Sequence, residues 1–425
     1  MNDSTITLIF LFFAIIMFVW EKIPLALTAM IVCIGLVLTG VLTIKEAFMG
    51  FIDSNVILFV AMFIVGGALF ETGMANKIGG LVTRFAKTER QLIIAIMLIT
   101  GVMSALLSNT GTAAILIPVV VGIAAKSNFS RSHLLMPLVF AAAMGGNLSL
   151  IGAPGNMIAQ STLETVGLKF GFFEYAKIGL PIFMAGIIYF AFIGYKFLPK
   201  TTNNDESSIY SQNNTNYDHV TPWKQILSLV ILIATLLAMV FEEQIGVKLY
   251  ISGCVGALLL ILTRVITEKQ AYKSIDLQVI FLFGGTLALA AALEKSGAGA
   301  DIAKATIGLL GKDASPFVLL VAIFLISVVL TNFMSNTATA ALLAPISLSI
   351  ATEMGADPRA VLMATVIGTS CALATPIGMP ANTMVLSIGG YKFMDYVKCG
   401  TPLIIVATIV SLILLPIIFP FFPNN

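Results

Sequence analysis

Apolar stretches of about twenty residues alternate with short polar connectors from one end of this chain to the other. Runs at 5–20, 24–41 and 54–72 are followed by a polar, basic connector at 76–90 and an uncharged run at 91–125. An interrupted run at 134–166 and another at 178–198 close the first half. After a polar segment at 199–222 the pattern resumes at 223–241, 248–266 and 275–293. A small-residue connector, an uncharged run at 314–352, an interrupted run at 358–390 and a last run at 398–420 complete it. Segments of this length predict membrane-spanning helices, so the expected fold class is an all-α polytopic membrane protein.

The two uncharged runs break the rhythm. The first would make one helix about 52 Å long at 1.5 Å per residue, too long for one crossing and too short for two plus a turn. Each run carries Ser-Asn-Thr near its middle: Ser108, Asn109 and Thr110, then Ser335, Asn336 and Thr337. Re-entrant hairpins at 91–125 and 314–352, with the tripeptides at their tips, accommodate both features. Hydrocarbon penalises an unpaired polar group by several kcal/mol, so two such clusters at membrane depth need partners.

Ordered anchors relate the two halves. Asp53 corresponds to Asp276 and Glu71 to Glu294, both 223 positions on, and Ser108 to Ser335, 227 on. Pro154 and Asn156 correspond to Pro380 and Asn382, 226 on. Glu174, Lys177, Gly179 and Pro181 correspond to Asp395, Lys398, Gly400 and Pro402, 221 on. This points to an internal duplication, 1–198 and 223–425, joined by a polar cytoplasmic linker at 199–222. Five crossings and one hairpin per half make an odd number of crossings, so the second repeat is expected inverted. Such repeats, with broken helices meeting near the midplane, build many secondary transporters. Placing the 76–90 connector in the cytoplasm divides the 23 Lys and Arg residues 15 inside to 8 outside, and puts both termini outside.

Composition agrees: 58% of the 425 residues are hydrophobic and only 10% are charged, against about a quarter charged in soluble domains. A net charge of +2 gives no basis for binding nucleic acid. The start of the chain lacks the basic residues of a cleavable signal and is expected to form a first helix. Four scattered cysteines and two histidines, His133 and His219, form no metal-ligand spacing. With no HExxH and no nucleophile paired with a base, an enzyme is not expected.

The candidate chemistry lies in the helix interruptions. A half-helix is expected to begin from Thr112 and from Thr339. Its free N–H groups and positive dipole end favour an anion, and Ser, Asn and Thr serve as caps. The half-helix before each tripeptide ends in free carbonyls suited to a small cation. The Gly-, Pro- and Asn-containing breaks at 145–156 and 368–382 add more. Neither the runs nor the breaks contain Asp, Glu, Lys, Arg or His, and proton carriers usually keep an ionisable group on the pathway. Na⁺ held by neutral oxygens beside a small anion is therefore the expected cargo. A single such tripeptide could equally serve close helix packing; two copies, each followed by Pro-x-Asn, shift the balance to function.

The segments SNTGTAAILIP and SNTATAALLAP, with IGAPGNMIA and ATPIGMPANTMVL, resemble the divalent-anion/sodium symporter family of the ion-transporter superfamily. The resemblance covers nearly the whole chain. It implies an elevator-type homodimer in the cell membrane that imports a small divalent anion with Na⁺, a C4-dicarboxylate such as succinate, malate or fumarate, with sulfate or another oxyanion, exchange and proton coupling as alternatives. It implies one Na⁺ at Ser108, Asn109, Thr110, Gly145, Gly146, Asn147 and Gly152. A second is implied at Ser335, Asn336, Thr337, Gly368, Ala372, Ala374 and Gly378. Substrate contacts are implied at Asn109, Thr110, Asn336, Thr337, Thr375 and Pro376. The usual Pro-Pro-Asn is here Pro154-Gly155-Asn156 and Pro380-Ala381-Asn382.

Overall fold

The computed structural model describes residues 2–20, 22–80, 88–127, 129–199, 220–310 and 315–422. Most of the expected linker, His219 and part of the 76–90 connector lie outside the described residues. All regular structure among the described residues is helical. The first half holds α1 (Asp3–Trp20), α2 (Leu25–Leu38), α3 (Ile44–Phe48), α4 (Ser54–Glu71), α5 (Met74–Gly80), α6 (Glu89–Leu106), α7 (Asn109–Ser127), α8 (Arg131–Gly145), α9 (Pro154–Glu164) and α10 (Ala176–Phe192). The second holds α11 (Pro222–Val240), α12 (Leu249–Leu262), α13 (Glu268–Ser274), α14 (Leu277–Lys295) and α15 (Ala298–Leu310). It continues with α16 (Pro316–Thr331), α17 (Asn336–Glu353), α18 (Pro358–Thr369), α19 (Pro380–Ile388) and α20 (Phe393–Ile418). Among the described residues, apart from short 3-10 turns and one extra turn at Glu242–Ile245, each α-helix has a counterpart ten numbers away.

Start signals repeat with the helices. Asp53 and Asp276 cap α4 and α14, accepting from the N–H groups of Asn55 and Val279. Thr43 with Glu46, and Thr267 with Gln270, form capping boxes on α3 and α13. Pro154 and Pro380 open α9 and α19, where a missing N–H breaks no helix bond.

Six helical stretches among the described residues, α1, α6 and α20 included, are long and apolar enough to cross a membrane. The chain is a multi-pass membrane protein. Only 22% of the most apolar window of α1, and of α20, is buried within the chain, and side chains such as Phe12 and Ile417 face outward. Lipid covers such faces at no cost, because hydrocarbon is as apolar as the side chains.

The packing comes in swapped pairs. α2 lies on α14, and α12 on α4. α8 packs between α6 and α7, and α18 between α16 and α17. α10 meets α20, while α17 reaches α9 and α7 reaches α19, so the halves interlock where the helices are broken.

Candidate functional site

The tripeptides sit earlier in their helices than the sequence suggested. α7 begins at Asn109 and α17 at Asn336, not at Thr112 and Thr339. Serine alone is the cap: Ser108 Oγ accepts from the Gly111 N–H at 3.1 Å and Ser335 Oγ from the Ala338 N–H at 3.2 Å. A cap of this kind is worth about 1 kcal/mol. It also leaves each asparagine on the first helical residue, with its amide free to turn across the helix end.

That amide enters a cage of oxygens. Ser104 Oγ, at the end of α6, lies 2.7 Å from Asn109 Oδ1 and 2.7 Å from the Ala142 carbonyl in the last turn of α8. The Ala142 and Gly152 carbonyls stand 3.1 and 3.0 Å from the same end of the amide. The second half repeats the arrangement at offsets of 226 or 227. Thr331 Oγ1 lies 2.9 Å from Asn336 Oδ1 and 2.6 Å from the Thr369 carbonyl. The Gly378 and Thr369 carbonyls are 3.0 and 3.2 Å from that amide end. With the amide oxygen inward, each hydroxyl has one proton for two acceptors. Turned over, the amide would present its NH₂, whose two protons can be shared among the three neighbouring oxygens. With the oxygen inward, a hard cation answers the same need, since such ions take oxygen ligands. Among the described residues no group of three His, Cys, Asp or Glu side chains could hold a metal; the cages use neutral oxygens alone.

The breaks are tied by matching bonds. Asn156 Nδ2 donates to the carbonyls of Gly146 and Ser149 at 2.9 and 2.7 Å, and Asn382 Nδ2 to those of Ala372 and Thr375 at 2.8 and 3.1 Å. Tyr175 and Tyr396 hydroxyls donate to the Asn156 and Asn382 carbonyls at 2.8 and 2.7 Å. Ser149 Oγ donates to the Ala105 carbonyl, as Thr375 Oγ1 does to that of Asn332. Behind each break lies a glycine of the half's last helix. A methyl on Gly179 would overlap the Asn147 carbonyl, and one on Gly400 that of Leu373, which gives the 221-offset anchor a steric reason.

The expected site residues therefore divide. Asn109, Asn336, Gly152 and Gly378 meet in the cages, and Ser108 and Ser335 support them as caps. Thr110 and Thr337 are half-buried, and their hydroxyls make no hydrogen bond among the described residues. The Gly146 and Ala372 carbonyls accept from the Pro-x-Asn asparagines. Ala374 N–H donates to Asn332 Oδ1, and the Pro376 carbonyl accepts from Thr383 Oγ1 at 2.7 Å. The Thr375 hydroxyl is buried and occupied twice, donating to the Asn332 carbonyl and accepting from Gly378 N–H. Gly145 packs against the backbone of Gly101, and Gly368 against Ser327, neither in a cage. Asn147 Oδ1 accepts from Ser370 Oγ of the other half at 2.7 Å. The halves also touch where a methyl on Gly155 would come 3.0 Å from Ala340 Cβ. A cavity of about 30 Å³ beside the first cage is lined by Phe63, Ser108, Gly152 and Pro154 among others, enough for one or two waters.

Sequence reading missed Ser104, Thr331, Asn332, Ser370 and the carbonyls of Ala142 and Thr369. Ser104 and Thr331 carried a usable signal: both stand four residues before the serine of their tripeptide. The carbonyls carried none. His133 is no ligand; its Nδ1 pairs with Glu89 Oε1 at 2.7 Å, joining the starts of α8 and α6.

Comparison with known proteins adds a context. Residues 15–368 match the family described as Citrate transporter. An uncharacterized transporter of Haemophilus influenzae is 31% identical over 94% of this chain and 88% of its own length. The sodium-dependent dicarboxylate transporter SdcS of Staphylococcus aureus is 22% identical over 94% of this chain and 83% of its own. In fold the chain is similar to Neisseria gonorrhoeae MtrF, whose structure was presented as illuminating a class of antimetabolite efflux pumps: TM-score 0.65, 16% identity, 92% of this chain and 86% of that one.

Proposed function

The chain belongs to the citrate transporter family and, as its motifs implied, is a divalent-anion/sodium symporter-type transporter rather than an enzyme; from that premise we propose Na⁺-coupled symport of a small divalent anion, a C4-dicarboxylate such as succinate, malate or fumarate. The observation that carries this reading is the pair of matching oxygen-lined cages around Asn109 and Asn336, where helix ends and break carbonyls converge without any charged side chain. One Na⁺ enters each cage, with the asparagine oxygen inward and the last-turn and break carbonyls as further ligands. The anion binds between the cages, its charge balanced by the two cations and by the positive ends of α7 and α17. The half-buried hydroxyls of Thr110 and Thr337 are positioned to meet it. The Staphylococcus relatives are named as sodium-dependent dicarboxylate transporters, which supports the same assignment here.

The architecture we propose is two inverted repeats, 1–198 and 223–425, each with a hairpin (α6–α7, α16–α17) and a broken helix (α8–α9, α18–α19). The swapped packing pairs support a two-fold relation between the halves. An elevator movement of the broken-helix parts past α1–α4 and α11–α14, in a homodimer with both termini outside, completes the reading.

The test is uptake by proteoliposomes of labelled succinate, citrate and sulfate, each under an imposed Na⁺, K⁺ or pH gradient. Succinate accumulation that requires inward Na⁺ is expected. Accumulation driven by a pH gradient alone, or of sulfate in preference to succinate, would overturn the coupling or the substrate.

A further inference from the structure

We infer that Asp53, Asn55 and Ser161, together with their repeat counterparts Asp276, Gln278 and Ser387, are two latches that close in alternation at the two ends of the transport cycle. The inference rests on the carrier reading above, in which the broken-helix parts move against the helices around α4 and α14.

The first latch is closed. Ser161 Oγ, on α9, donates to Asp53 Oδ1 at the cap of α4 at 2.8 Å. Asn55 Nδ2 donates to Ser161 Oγ at 3.0 Å and to Glu164 Oε2 at 2.9 Å. These bonds join residues more than a hundred positions apart, and α4 packs along α9 beside them.

The duplication places the same chemistry at the start of α14 and on α19, at offsets of 223 and 226. There the set is open. Asp276 accepts only from the Val279 N–H of its own helix, at 3.2 Å. Gln278 and Ser387 are exposed and make no side-chain hydrogen bond among the described residues. α14 has no packing on α19 comparable to that of α4 on α9. An aspartate cap or a serine near a helix end is ordinary by itself. Three residues in matching register, engaged in one half and unengaged in the other, are what two alternating docks require. If the moving part crosses to the other side of the scaffold, the relation between the halves brings α19 to α14 as α9 now meets α4. Glu164 has no equivalent; Gly390 stands there with φ of 65°. The second latch therefore has one arm fewer, and the closed first latch is the resting state.

Paired cysteines test this in a background with Cys33, Cys254, Cys371 and Cys399 replaced by serine or alanine, in proteoliposomes. Asp53→Cys with Ser161→Cys, and separately Asp276→Cys with Ser387→Cys, are treated with a short bis-methanethiosulfonate cross-linker. Residual thiols are counted by maleimide gel shift. Both pairs are expected to cross-link, the first faster. Adding Ser161→Ala to the second pair should speed its reaction roughly fivefold, since the hydroxyl lost makes two bonds of the first latch. A second pair that stays unreacted while the first goes to completion, or that is indifferent to Ser161→Ala, overturns the inference. Succinate uptake by the cysteine-free protein is measured in parallel. Uptake that does not occur, with the second pair still reacting, would sink the substrate assignment and leave the latches standing.

Discussion

The break before α9 is fastened from outside itself: Ser370 of the other half donates to Asn147, and Leu150 N–H donates to the Phe172 carbonyl at 2.8 Å. The break before α19 shares that bond through Ser370 and has a further fastening from within its own half, Asn332 at the end of α16. Asn332 Nδ2 donates to the Cys371 carbonyl at 3.1 Å while its Oδ1 accepts from Ala374 N–H at 2.9 Å. The first half has Ala105 at the corresponding position and cannot do this. The two halves thus share the cage and differ in its mounting. Both breaks share the Ser370–Asn147 bond, and the second alone has the added clamp of an asparagine from its own half. The Ser370–Asn147 bond joins the two breaks, so a change at either one reaches the other.

Four measurements would break or sharpen this contrast. Asn109→Ala and Asn336→Ala each remove a cage's inward amide. Each should lower Na⁺-driven uptake by ten- to a hundredfold, roughly the loss of one bond to a charged group, while the protein still elutes as a folded species. Normal uptake by both variants would remove the site assignment. Next, Gly179→Ala and Gly400→Ala push a methyl into a break carbonyl; each should cost about 1–3 kcal/mol of stability, visible as a lower unfolding midpoint in detergent. Equal losses would mean the mountings are sterically equivalent despite their different hydrogen bonds. Asn332→Ala strips two bonds from the second break, so the Na⁺ concentration for half-maximal uptake should rise roughly tenfold. Ser370→Ala removes a bond that joins the two breaks and should give the smallest effect, a rise of roughly fivefold. If Asn332→Ala and Ser370→Ala behaved identically, the difference in mounting would have no functional weight.

Much of the helix plan was legible in the chain. Hydropathy located the helices because each span reports its own burial in lipid, and Asp53, Asp276, Pro154 and Pro380 marked starts because capping and the missing proline N–H act within a few residues. The helix starts at Asn109 and Asn336 were misplaced by three residues. Ser, Asn and Thr all cap well, and only the bonds to Gly111 and Ala338 reveal which one does. Along the chain Asn332 is simply a polar residue three positions before a tripeptide. Its role depends on a break almost forty residues later folding back over it. The latch around Ser161 was equally hidden, since its partner Asp53 lies 108 positions away.

What the amino-acid sequence determined by itself is the number of apolar spans, the repetition of the halves and the two places where a neutral polar cluster interrupts them, because each is a pattern readable along one dimension. Which oxygens complete the cages was decided by the tertiary structure alone. The carbonyls of Ala142, Gly152, Thr369 and Gly378 are chemically the same as every other carbonyl in the backbone. Only the convergence of separate helix ends brings them around the two asparagines.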